Sequence, residues 1–114
     1  MEWKPLDTVT TVDQIKESSH QRPAVIYKHS TRCSISSMAL GRLERAWKPK
    51  EMESADVFFL DLIRHRDVSQ AVAQTFQVEH ESPQLLIIQD GECVYHTSHM
   101  GISYDDLKQH LVAG

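Results

Sequence analysis

Cys33 stands in His29-Ser30-Thr31-Arg32-Cys33-Ser34-Ile35-Ser36, where an apolar, β-branched run gives way to a helical period. A thiol at that junction is placed to act as a nucleophile. The first turn of a helix carries unpaired backbone N–H groups and the positive end of the helix dipole, and both favour a thiolate over the neutral thiol. Arg32 adds a fixed positive charge next to the sulfur in sequence, and the hydroxyls of Thr31, Ser34 and Ser36 are candidate donors to it or to a bound thiol. Because Ser36 occupies the position three residues on, no Cys-x-x-Cys dithiol forms within this segment. The expected chemistry is therefore monothiol: attack on a disulfide releases one thiol and leaves a mixed disulfide, which an outside thiol or a second cysteine has to resolve.

The second cysteine, Cys93, falls on a predicted strand, where a small apolar side chain is the commoner use; it is the weaker candidate for that resolving role. No metal site is expected, since neither cysteine belongs to a Cys-x-x-Cys pair and no His-x-x-x-His pattern occurs. A phosphatase-type loop would need an arginine where Ala39 stands, so its oxyanion clamp is missing. Reduction of arsenate or peroxide would also begin with a reactive thiolate, but no dedicated resolving partner is evident.

Two further segments bear on the site. In Glu81-Ser82-Pro83-Gln84, a cis peptide before Pro83 would bend the chain toward the Cys33 loop and offer backbone groups to an extended substrate, although X-Pro bonds are mostly trans. In Tyr95-His96-Thr97-Ser98-His99, His96 and His99 are candidates to hold a small thiol or protonate a leaving thiolate. Strand positions three apart face opposite sides, so these two act together only if the strand ends before His99. His29 is a further imidazole at a strand end, while Asp61 and Glu44 read as solvated or element-end carboxylates.

The elements that must position these residues follow from periodicity and caps. Thr11 with Gln14 resembles a capping box and opens a helix from Val12 to Ser19; Ala24–His29 reads as a covered strand. Ile35, Met38, Leu43, Ala46 and Trp47 recur at helical spacing from Ser34 and should stop near Trp47 or Lys48, before Pro49. Asp56–Leu62 is a second apolar strand, and Asp67 begins a helix with Val68, Ala71, Val72, Thr75 and Phe76 on one side. Gln84–Gln89 and Glu92–Thr97 flank Asp90-Gly91, a two-residue hairpin signal. Ser103 and Asp106 open a last helix through Leu107, Leu111 and Val112. The order α-βαβ-α-ββα predicts an α/β fold with a four-stranded mixed sheet flanked by helices, the thioredoxin-like layout.

The chain has 114 residues, 40% hydrophobic and 25% charged, which suits one domain spanning 1–114 with no internal repeat. Its net charge of −4 comes from charges interspersed along the chain, so no basic stripe is present to follow a nucleic-acid backbone. The opening MEWKPLDTVT has neither the basic nor the apolar region of a signal peptide, and Leu85-Leu86-Ile87-Ile88 is too short to span a bilayer. A soluble, cytoplasmic protein with reduced thiols and no membrane or nucleic-acid partner is expected.

Taken together, the Cys33 segment with His80-Glu81-Ser82-Pro83-Gln84 and Tyr95-His96-Thr97-Ser98-His99 resembles the monothiol bacilliredoxin family of the thioredoxin superfamily, over nearly the whole chain. The resemblance implies removal of bacillithiol, or a similar low-molecular-weight thiol, from S-thiolated cytoplasmic proteins. It makes Cys33 the attacking thiol and Pro83 the superfamily's cis-proline. Arg32, Ser34, Ser36, Ser82, Pro83, Ser98 and His99 are the residues expected to bind substrate around that thiol. The small thiol is then a co-substrate, and no tightly bound cofactor is implied. Ser34 stands where the family commonly has proline, and Arg32 where a small polar residue is common. The competing reading, from a binding class, is a non-catalytic thioredoxin-like adaptor that docks partners through the Pro83 region.

Overall fold

The computed structural model describes residues 3–113, with side chains through Leu111. The elements in chain order are β1 (Lys4–Pro5), α1 (Val9–Ser18), β2 (Ala24–His29), α2 (Ser34–Ala46), β3 (Asp56–Asp61), α3 (Arg66–Phe76), β4 (Gln84–Gln89), β5 (Glu92–Ser98) and α4 (Tyr104–Ala113), with short 3₁₀ turns at Pro49–Met52 and His99–Gly101.

The strands form one sheet in the order β1-β3-β2-β4-β5. β1 and β2 both run parallel to β3, whereas β2/β4 and β4/β5 are antiparallel. The sheet thus has five strands rather than the four expected. The extra strand, β1, is two exposed residues long and half proline, so it has no alternation to read. It is recognisable only by its pairing with β3, which continues as the Leu6 N–H donates to Phe59 O at 2.9 Å.

Alternation along the central strands divides the core. Ala24, Ile26, Phe58, Leu60, Leu86 and Ile88 meet α1 and α3 through Val12, Ile15, Val68 and Val72. Val25, Tyr27, Leu85 and Ile87 meet α2 and α4 through Ala39, Leu43 and Leu107. All six residues of β2 are buried, as a strand covered on both faces requires.

Local signals fix the ends. The α1 cap is Thr8, not Thr11: the Thr8 hydroxyl accepts the Thr11 N–H at 3.2 Å, so the helix starts one turn earlier than expected. Asp90 and Gly91 both have positive φ (54° and 78°), the type I′ geometry that the hairpin signal predicts. Ser103 caps α4 as expected, its hydroxyl accepting the Asp106 N–H at 3.1 Å.

Candidate active site

β2 leaves the centre of the sheet at His29, and the turn Ser30–Arg32 delivers Cys33 as the N-cap of α2 with extended backbone (φ −114°, ψ 117°). The Cys33 N–H donates to Ser30 O at 3.2 Å, and Cys33 O accepts the Ser37 N–H at 3.3 Å, so its backbone is tied on both sides. An N-cap side chain normally supplies an oxygen to the N–H groups of the first turn. Here a half-buried, unpaired thiol takes that place and makes no capping hydrogen bond; the first turn carries no acidic residue. No first-turn carboxylate therefore competes for the helix N–H groups at this end. Thr31, Arg32 and Ser34 are exposed around it.

Ser36 behaves differently from the expectation that it touches substrate. It is fully buried, and its hydroxyl accepts the Ser30 N–H at 3.1 Å and lies 2.7 Å from His29 Nδ1. The direction of the hydrogen bond between the hydroxyl and Nδ1 is set by the imidazole tautomer. The Tyr27 hydroxyl donates to Ser36 O at 3.0 Å. Ser36 thus ties both ends of the Cys33 turn to β2, a role its polar type alone does not reveal. Burial lowers the His29 pKa, while Asp61 and Glu44 pull it the other way. Burial also pushes the Tyr27 phenol up to about 12, which keeps it a donor.

Register brings the other segments to the same end of the sheet. Lys28 pairs with Gln84, Gln84 with Ser98, and His29 with Asp61, so the Cys33 turn, Ser82-Pro83 and Ser98-His99 all lie at the C-terminal end of β2. The Ser82–Pro83 peptide is cis, and Pro83 O accepts the His99 N–H at 3.1 Å. Pro83 is buried; Ser82 and Ser98 are half-buried and His99 is exposed. β5 ends at Ser98, and His99, at φ 53°, begins the turn that packs against α2. His96 remains on the strand, exposed, with Leu86 as its partner, so the two imidazoles belong to different elements.

A buried polar cluster beneath this end was not foreseen. Lys28 is completely buried; its Nζ lies 3.3 Å from His80 Nδ1 and 3.5 Å from Ser69 O, and the Ser69 hydroxyl is 3.1 Å from the same His80 nitrogen. Gln84, facing Lys28, donates from Nε2 to Glu79 O at 3.0 Å. Burial lowers the Lys28 amine to about 8, and burial together with Lys28 lowers His80. The available signal was a lysine directly after the apolar run Ala24–Tyr27, within the same predicted strand.

Cys93 lies at the opposite end. It pairs with Ile88, which pairs with Ala24, whereas Cys33 follows His29. Ala24 to His29 spans about 16 Å at the rise of a strand. A disulfide needs Cα atoms roughly 4.4–6.8 Å apart. The Cys93 thiol donates to Tyr95 O at 3.3 Å, and burial pushes its pKa up. Among the described residues, no group of three or more His, Cys, Asp or Glu side chains is arranged to hold a metal ion.

Comparison with known proteins adds three findings. A family model described as monothiol bacilliredoxin BrxC matches residues 4–107. Among solved structures, the chain is similar to a candidate oxidoreductase with a thioredoxin fold, at 28% identity and TM-score 0.76, over 92% of this chain and 89% of that one. It is also similar to thioredoxin from Fasciola hepatica (16% identity, TM-score 0.71, 96% and 97% covered) and to a thioredoxin variant from Halobacterium salinarum (23%, 0.69, 98% and 89%). The fold is that of thioredoxin, with one short edge strand added to the four expected.

Proposed function

The chain belongs to the monothiol bacilliredoxin family, and on that premise we propose that it removes bacillithiol, or a similar small thiol, from mixed disulfides on cytoplasmic proteins through Cys33. It is a thiol–disulfide oxidoreductase of the thioredoxin fold. The observation that carries the finer reading is the isolation of Cys33: an unpaired thiol at a helix N-cap, with buried Ser36 where a second thiol would stand and Cys93 at the far end of the sheet.

In the first step the Cys33 thiolate attacks the small-thiol sulfur of the mixed disulfide. That S–S bond breaks, its electron pair leaves with the protein sulfur, and Cys33 carries the small thiol. In the second step a free thiolate attacks the new disulfide and releases Cys33 together with a symmetrical small-molecule disulfide. Arg32 and Ser34, at the exposed start of α2, are suited to the small thiol's polar groups; Ser82, Pro83, Ser98 and His99 line the side on which the protein substrate would lie. The small thiol is a co-substrate, and no bound cofactor takes part.

The test is intact-mass analysis of the reduced protein mixed with a single-cysteine substrate bearing bacillithiol. Wild type and Cys33-intact Cys93→Ala should gain the mass of the small thiol as the substrate loses it; Cys33→Ser should not. Transfer only from a glutathione-bearing substrate would overturn the choice of thiol. Partner binding with no transfer from any thiolated substrate would overturn the enzyme reading in favour of an adaptor.

A further inference from the structure

Lys28 stands directly behind the wall of a cavity. Its Nζ is completely buried and lies 3.3 Å from His80 Nδ1 and 3.5 Å from Ser69 O. Both of these neighbours line a cavity of about 340 Å³, whose other walls are Leu62, Arg66, Gln70 and Ala73. Two cations therefore flank one space, Arg66 on its surface and Lys28 beneath it. Among the described residues, neither makes an ion pair. Glu81 is the acid that acts on His80, and no acidic side chain offsets the charge on Lys28. The amine titrates at about 8, so it is mostly an ammonium at neutral pH. A buried ammonium is costly unless it is paired, and here it has a carbonyl and an imidazole but no counter-charge.

The lining indicates the kind of anion that would supply one. The planar guanidinium of Arg66 matches a carboxylate with two parallel N–H bonds, and the Ser69 hydroxyl and Gln70 amide are further donors. Leu62 and Ala73 add an apolar wall, which suits a carbon skeleton better than a hydrated inorganic ion. We propose that this cavity binds the carboxylate of a small organic molecule, held by Arg66 and neutralising Lys28 behind Ser69 and His80. The carboxylate belongs either to a free molecule or to the small thiol carried by Cys33; the second case rests on the reading of Cys33 as the attacking thiol.

The experiment titrates succinate into the reduced full chain at neutral pH and constant ionic strength, with the His80 ring followed by NMR. Its resonances should shift to saturation. Arg66→Gln and Lys28→Met should each weaken binding by roughly tenfold, because each removes one charge that meets the carboxylate. Arg66→Lys, which keeps the charge without the planar fork, should fall between wild type and Arg66→Gln. Arg45→Gln, an exposed site near the end of α2, should match wild type. A shift that does not saturate, or equal affinity in wild type and Arg66→Gln, overturns the proposal. If Lys28→Met does not fold, the two Arg66 variants decide. The source of the carboxylate is separated by loading Cys33 with glutathione, a carboxylate-bearing thiol: lost succinate binding assigns the cavity to the small thiol, and unchanged binding assigns it to a free molecule. Cys33→Ser should bind succinate as wild type does. Failed binding with intact thiol transfer refutes this inference alone, and binding without transfer refutes only the assignment of Cys33.

Discussion

Lys28 Nζ lies 3.3 Å from His80 Nδ1, joining the floor of the sheet to the loop that leads into Ser82-Pro83. The lysine and the Ser69 hydroxyl both lie within hydrogen-bond distance of the same ring nitrogen. The amine has no carboxylate partner among the described residues and is cut off from water, which is why it releases its proton early.

This predicts a pH signature. The Lys28 amine titrates at about 8 in the folded protein against 10.5 ordinarily, so between these values the unfolded chain binds a proton that the native state does not. Stability contributed at this position therefore rises with pH across that window, by about 3 kcal/mol in full. Urea unfolding of wild type and Lys28→Met at several alkaline pH values should show the difference growing in favour of wild type. Parallel curves would exclude a neutral buried amine.

Gly101 closes the turn that packs on α2, and a Cβ there would meet Thr97 Oγ1 at 2.5 Å. Gly101→Ala should cost roughly 1–3 kcal/mol in urea unfolding, as overpacking usually does. Thr97→Ala should recover most of that loss when combined with it, and simple addition of the two single effects would show that the contact is not the cause.

Ser19 links the end of α1 to the hairpin: its hydroxyl donates to Lys16 O at 2.7 Å and accepts the Gly91 N–H at 2.8 Å, and its carbonyl accepts the Asp90 N–H at 2.9 Å. Ser19→Ala leaves a buried N–H without a partner and should cost about 1–3 kcal/mol. Cys33 alkylation should be unchanged, since Cys33 follows the other end of β2. A change in that rate would reveal coupling along the sheet.

Much of this fold was legible because its strongest signals are local. β2, β4, the Asp90-Gly91 turn and the start of α2 each combine periodicity with a terminating residue, and they fall where expected. The α1 start was misplaced because Val9-Thr10-Thr11 is β-branched and looks unlike a helix, although tertiary packing makes it one. At the candidate site, the position of Cys33 could be read from the junction of two periods. The work of Ser36 could not, because burial and partners of a small hydroxyl depend on which strand returns beneath it. The Lys28 cluster depended in the same way on β4 pairing with β2, which brings Gln84 opposite Lys28 and sets the loop carrying His80 close by.

The latched Asp90-Gly91 turn gives the molecule a blunt end remote from the Cys33 sulfur. A dye, a surface or a second protein attached at exposed Asp90 would hold every copy in one orientation, with Cys33 presented to the solution.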